Sequence, residues 1–160
     1  MRKIFFIYLI ISMLVLFVGC APRVQMPFNG NVSFHKLSVT IPESFIRDST
    51  QSNEDLWVFE RGNYTEYILL SRKDYSGNVK FGLEEYVDYM KENGAASKLT
   101  TFLEGDAVHT TYTREGEFCQ EMLFYHENAF YAVTLRGGTE ETFQELCASV
   151  QLTKPTEPTQ

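Results

Sequence analysis

The chain has 160 residues, a formal net charge of -7 and an aromatic content of 14%, the profile of one folded domain rather than a disordered or fibrous chain. Two of its 14 basic residues, Arg2 and Lys3, sit at the extreme N-terminus, leaving 12 against 21 acidic residues in the remainder, a net of -9. Such a body is repelled by nucleic acid and by anionic headgroups, and no basic stripe interleaved with aromatics offsets this, which argues against nucleic-acid binding.

Met1-Arg2-Lys3 precedes an apolar run from Ile4 to Val18 broken only by Tyr8 and Ser12, and Gly19-Cys20 follows. A basic start, an apolar run and a small residue at the cut make an export signal. The fifteen residues of the run span about 22 Å as a helix at ~1.5 Å per residue, short of the roughly 30 Å hydrocarbon core. A permanent membrane span is therefore the weaker reading.

A thiol that happens to end a signal peptide would fit position 20. Phe17-Val18-Gly19-Cys20, however, resembles the bacterial lipobox, with Phe17 standing where Leu is usual. The resemblance implies a leader over 1–19 that is cut away, and a diacylglyceryl group on the sulfur of Cys20, which becomes the mature N-terminus. Two acyl chains, at ~0.8 kcal/mol per buried CH₂, hold stably where one is marginal. The expected location is a cell membrane, lipid-anchored and facing outside the cytoplasm.

Residues 20–31 then read as a lipidated cysteine and a tether, because APRVQMPFNGN carries two prolines and no apolar period. His35 to Ile41 alternates Leu37, Val39 and Ile41 with polar residues, a half-buried strand that ends at Pro42. Asp55 to Arg61 and Glu66 to Arg72 are rich in aromatic and β-branched residues and are joined through Gly62-Asn63, a predicted hairpin. From Leu83 to Asn93 the period changes: Leu83, Tyr86, Val87 and Met90 share one helical face, and Asn93-Gly94 suits the C-terminal cap.

Four further strands are predicted over Ser97 to Leu103, Ala107 to Arg114, Phe118 to Tyr125 and Phe130 to Leu135. The gaps between them are too short for a parallel crossover, so they form an antiparallel meander. A second helix runs from Thr139 to Val150, with Thr139 as N-cap, Glu140 and Glu141 in the first turn, and Phe143, Leu146, Cys147 and Val150 on its apolar face. Residues 153–160 are polar and proline-containing and read as a disordered tail. The expectation is an α+β domain over 32–152, an antiparallel sheet of about seven strands covered by two amphipathic helices.

Residue patterns for chemistry are sparse. His35, His109 and His126 lie at separate strand ends without metal-ligand spacing, so no metal site or cofactor is expected. Glu84-Glu85 and Glu140-Glu141 are adjacent on helices and diverge by about 100°, which reads as solvated faces. Cys119 and Cys147 are the thiols left after lipidation; an exported location permits a disulfide between them, while Cys147 on an apolar helix face suits a small free hydrophobe. Trp57, Phe59 and Tyr67 read as core positions of the hairpin. Tyr64 and Tyr75, near turns, are the candidate partner-binding aromatics.

The order of elements and the phrases LSVTIPESF, DLWVFERG, LEEYVDYM, YAVTLRG and ETFQELCASV, over about residues 34 to 152, resemble the PsbP-like fold. That fold is shared by a Ran-binding nuclear import factor and by bacterial lipoproteins such as DcrB. The resemblance implies an α-β-α sandwich and a binding or assembly protein rather than an enzyme. The functional expectation is a membrane-anchored module for an unknown envelope protein, the alternative being a carrier that holds a small molecule or lipid in a groove between helix and sheet.

Overall fold

The computed structural model describes residues 30–153 apart from Asn63; the leader, Cys20, the tether as far as position 29 and the tail from Lys154 lie outside the described residues. The elements run β1 (Asn31–Phe34), β2 (Leu37–Thr40), β3 (Ile46–Asp48), β4 (Leu56–Arg61), β5 (Glu66–Asp74), α1 (Val79–Glu92), β6 (Ala96–Phe102), β7 (Gly105–Arg114), β8 (Glu117–His126), β9 (Ala129–Arg136), α2 (Glu140–Ala148) and β10 (Gln151–Leu152). They form a seven-stranded sheet in the order β3-β4-β5-β9-β8-β7-β6 and a three-stranded sheet in the order β1-β2-β10. Every pairing is antiparallel.

The expected α+β architecture is therefore present, with one exchange of membership. The strand read from His35 to Ile41 is β2 of the small sheet, and the seventh strand of the large sheet is β3, which the sequence did not announce. His35 has φ 52 and makes the turn between β1 and β2, so a strand the sequence did not announce, β1, precedes β2, beginning at Asn31, the last residue of the tether reading. Val32 and Phe34 of β1 are buried. Helix α1 starts at Val79, four residues before its apolar stripe, because Asn78 Oδ1 accepts from Phe81 N–H and caps the first turn. Helix α2 stops at Ala148 rather than Val150, and the chain turns into β10 against β2.

Hairpin geometry explains the meander. The β6–β7, β7–β8 and β8–β9 turns place Leu103-Glu104, Glu115-Gly116 and Glu127-Asn128 at positive φ, the twist that two-residue connections require. Between β5 and β6 the chain instead crosses from mid-sheet to the far edge, and α1 makes that crossing over β6 and β7.

The large sheet has two covered faces. One carries Phe59, Ile68, Leu70, Phe124, Tyr131, Val133 and Leu135, packed with the small sheet and with Phe143, Leu146, Cys147 and Val150. At nine residues α2 is too short to persist alone, and this packing holds it. The other face carries Val108, Leu123, Phe130 and Ala132, covered by Leu83, Tyr86 and Val87 of α1.

Candidate functional site

Register places one transverse row across the α1 face of the sheet: Ser97, Thr110, Glu121, Thr134, Leu69, Val58 and Asp48, one residue from each strand from β6 to β3. Among the described residues, five of the six buried polar or charged side chains, Asp48, Ser97, Thr110, Glu121 and Thr134, belong to this row. Side chains alternate between faces, so one row of polar residues on a covered face must satisfy itself. It does so in pairs. Ser97 and Thr110 share a hydrogen bond of 2.8 Å, and Thr134 Oγ1 donates to Glu121 Oε2 at 3.1 Å. The Tyr86 hydroxyl comes down from α1 and donates to Glu121 Oε1.

Glu121 is 0% exposed. Burial pushes its pKa up, against the two hydrogen bonds from Tyr86 and Thr134 that favour the carboxylate. Tyr112 and Cys119 stand in register with each other one row along, on the same face. Burial and the neighbouring Glu121 raise the Tyr112 phenol, and burial raises the Cys119 thiol. Such shifts keep both groups protonated, which makes them poor nucleophiles. Sequence reasoning missed this cluster: Glu121 reads as one polar residue in a strand, and only the register aligns it with Thr110 and Thr134 beneath a helix distant in the chain.

At one end of the sheet, the β4–β5 turn, the start of β8 and the loop after β9 meet. Gly137 N–H donates to the Phe118 carbonyl at 2.9 Å, and a Cβ on Gly137 would stand 2.1 Å from the Thr65 carbonyl oxygen. Tyr64, 45% exposed, and Phe118, 48% exposed, flank this junction. Arg136 beside it bonds Glu115 at 2.8 Å and Glu117, and its guanidinium lies 5.6 Å from the centre of the Tyr67 ring.

The two candidate aromatics thus part company. Tyr64 sits at the surface with φ 73, whereas Tyr75 is half-buried. The Tyr75 hydroxyl donates to the Asn78 carbonyl at 3.1 Å, and its ring packs 4.6 Å from Phe130, over Gly77 and Gly82. Phe59 is a core residue, and half-buried Trp57 packs edge-on against Phe34 at 5.3 Å with the Arg47 guanidinium over its ring.

The disulfide that cysteine parity allows is not made. Cys119 and Cys147 are free, and they project from opposite sides of the large sheet: Cys119 shares the Glu121 face, and Cys147 belongs to the α2 core. His109 is half-buried and stacks on Phe143, centroids 5.6 Å apart, while His35 Nε2 pairs with the Glu54 carbonyl at 2.8 Å. Among the described residues no group of three or more His, Cys, Asp or Glu is arranged to hold a metal ion, and no helix is long and apolar enough to cross a membrane.

An antiparallel sheet with this strand order, covered by two helices, defines an α+β protein of PsbP-like fold. The solution structure of cyanobacterial PsbP (CyanoP) from Synechocystis superposes with a TM-score of 0.54 over 87% of this chain and 98% of that one, at 8% identity. A crystal structure from Bacteroides thetaiotaomicron superposes with a TM-score of 0.51 over 76% of this chain at 18% identity. The match covers 47% of the Bacteroides chain, about half its length. No family model and no curated protein sequence matches the chain.

Proposed function

We propose that this protein is a lipoprotein held by Cys20 on the outer side of a cell membrane, and that its PsbP-like domain binds or helps assemble another envelope component. The observation that carries the reading is the leader ending in Phe17-Val18-Gly19-Cys20, a basic start and apolar run closed by a small residue and a cysteine. A binding role is favoured over catalysis because Glu121, Tyr112 and Cys119 have pKa values raised chiefly by burial within the covered face rather than tuned in a site presented to a substrate. The surface offered to a partner is the sheet end carrying Tyr64 and Phe118, two half-exposed aromatics with a polar rim of Arg136, Glu115 and Glu117.

Photocrosslinking residues at positions 64 and 118 in intact cells test this surface, with position 80 on α1 as the control. One discrete adduct at 64 and 118 with none at 80 is the expected result; equal labelling at all three contradicts it. The carrier reading draws support from β5, where Tyr67, Leu69 and Ser71 on the α1 face are only half-buried because α1 packs over β6 and β7. Solvent extraction and mass spectrometry of the purified protein decide that reading: a reproducible ligand supports it, and its absence removes it.

A further inference from the structure

The polar link between α1 and the sheet runs through a carboxyl whose contacts are neutral hydroxyls, Tyr86 from α1 and Thr134 from β9. Thr110 of β7 is in register with Glu121, and the titratable groups that β7 carries on the same face are the Tyr112 phenol and, beyond it, Arg114. Its own strand adds Cys119, and β9 adds Arg136, two positions beyond Thr134 on the same face. Arg136 is engaged by Glu115 and Glu117, Arg114 of β7 acts on Tyr112 and Cys119, and Lys73 of β5 stands on this face opposite Phe130, whereas the groups that act on Glu121 are the two hydroxyls. The contacts of Glu121 are two hydroxyl donors and no cation, so the hydrogen bonds offset a negative charge only in part and burial prevails. A buried carboxylate in that state is costly, and the inexpensive form is the protonated acid.

We propose that Glu121 and Tyr86 form a proton-operated latch, in which protonated Glu121 keeps α1 closed over the sheet and loss of its proton favours an open state with α1 lifted away. Opening bares Val108, Leu123, Phe130 and Ala132, the apolar surface that Leu83, Tyr86 and Val87 cover in the closed state. The inference is independent of the Cys20 anchor, since it rests on groups inside the folded domain.

The sign follows from proton linkage. Closed, Glu121 holds its proton above the usual carboxyl range, because burial disfavours the charge; open, it titrates near the ordinary value of about 4.3. The closed state is thus fully favoured below about pH 4.3 and loses ground as pH rises, with the opening constant growing about tenfold per pH unit until Glu121 ionises in place.

Amide hydrogen exchange on the full chain reads this directly, comparing α1 (Val79–Glu92) with β8 and β9 from about pH 5 to about pH 9 after correction for intrinsic rates. The expected result is opening of α1 that rises with pH while β8 and β9 stay protected. Glu121→Gln flattens the profile, and Tyr86→Phe leaves the slope while opening α1 more at every pH. A flat profile in the wild type, or a slope that persists in Glu121→Gln, overturns the latch. Should Glu121→Gln fail to fold, the infrared spectrum of the folded wild type decides: a carboxylic-acid carbonyl band that survives at neutral pH supports the latch, and its absence overturns it.

Discussion

Cys119 and Cys147 lie on opposite faces of one seven-stranded sheet, so the sheet itself separates their sulfurs. A disulfide needs Cα atoms within about 7 Å and Cβ vectors that converge, and these two diverge from different layers. Both thiols of the native protein therefore accept an alkylating reagent once it is unfolded without reductant, and prior reduction leaves the intact mass unchanged. While the protein is folded Cys147 reacts slowly, because burial pushes its thiol up to about 12 and leaves little thiolate at neutral pH. A mass deficit of two hydrogens that reductant abolishes would contradict this placement.

Gly137 is the most constrained glycine at the Tyr64–Phe118 end. Its φ is 77, and an added Cβ would meet the Thr65 backbone oxygen at 2.1 Å, an atom that no side-chain rotation can move. Gly137→Ala is expected to cost about 2 kcal/mol or more, from the left-handed backbone and the clash together. Gly94→Ala, at a similar φ of 82 but with nothing near its Cβ, isolates the conformational part at about 1 kcal/mol. Urea denaturation of the two variants beside the wild type measures the difference; equal losses would mean that the Thr65 contact carries no weight.

Asp48, at the far end of the polar row, is buried with the opposite consequence. Its Oδ1 accepts from Thr50 N–H at 2.8 Å, Thr50 Oγ1 at 2.6 Å and Gln51 N–H at 3.3 Å, and its Oδ2 accepts from Gln51 Nε2 at 2.8 Å. Burial alone would raise its pKa, but the hydrogen bonds from Thr50 and Gln51 outweigh it and hold the carboxyl below its ordinary value. A depressed folded-state value stabilises above the ordinary aspartate pKa of about 3.9, and the stabilisation is lost as pH falls through the folded-state value. Asp48→Ala should therefore cost about 1–3 kcal/mol at neutral pH, and the gap to wild type should close on acidification. Denaturant unfolding at about pH 7 and about pH 3 checks this, and an undiminished gap at the lower pH would refute it.

Much of the architecture was legible where a single face is buried. The period-2 pattern of Leu37, Val39 and Ile41 marks β2, and Leu83, Tyr86 and Val87 mark α1, because burial imposes the period of the element on the sequence. The short strands escaped for the same reason. β3 offers three residues and β10 two, too few to show any period, and their pairing with β4 and β2 is a matter of tertiary register. β1 hid behind the proline and glycine of the preceding segment, although Val32 and Phe34 alternate with Asn31 and Ser33. Tyr75 looked like a surface residue from its place beside a turn; its ring is held inward because Gly77 and Gly82 leave room for it against Phe130. The Glu121 cluster could not be read at all, since Tyr86 and Glu121 are 35 residues apart and meet only through α1 crossing the sheet.

The most direct test of the account is intact mass and membrane fractionation of the wild-type protein beside Cys20→Ser. The account predicts a lipid-sized mass increment and membrane retention in the wild type, both lost in the variant, as two acyl chains on one sulfur require. Equal mass and equal partitioning of the two proteins would contradict the anchor and reduce Leu16-Phe17-Val18-Gly19-Cys20 to a signal end or a membrane span.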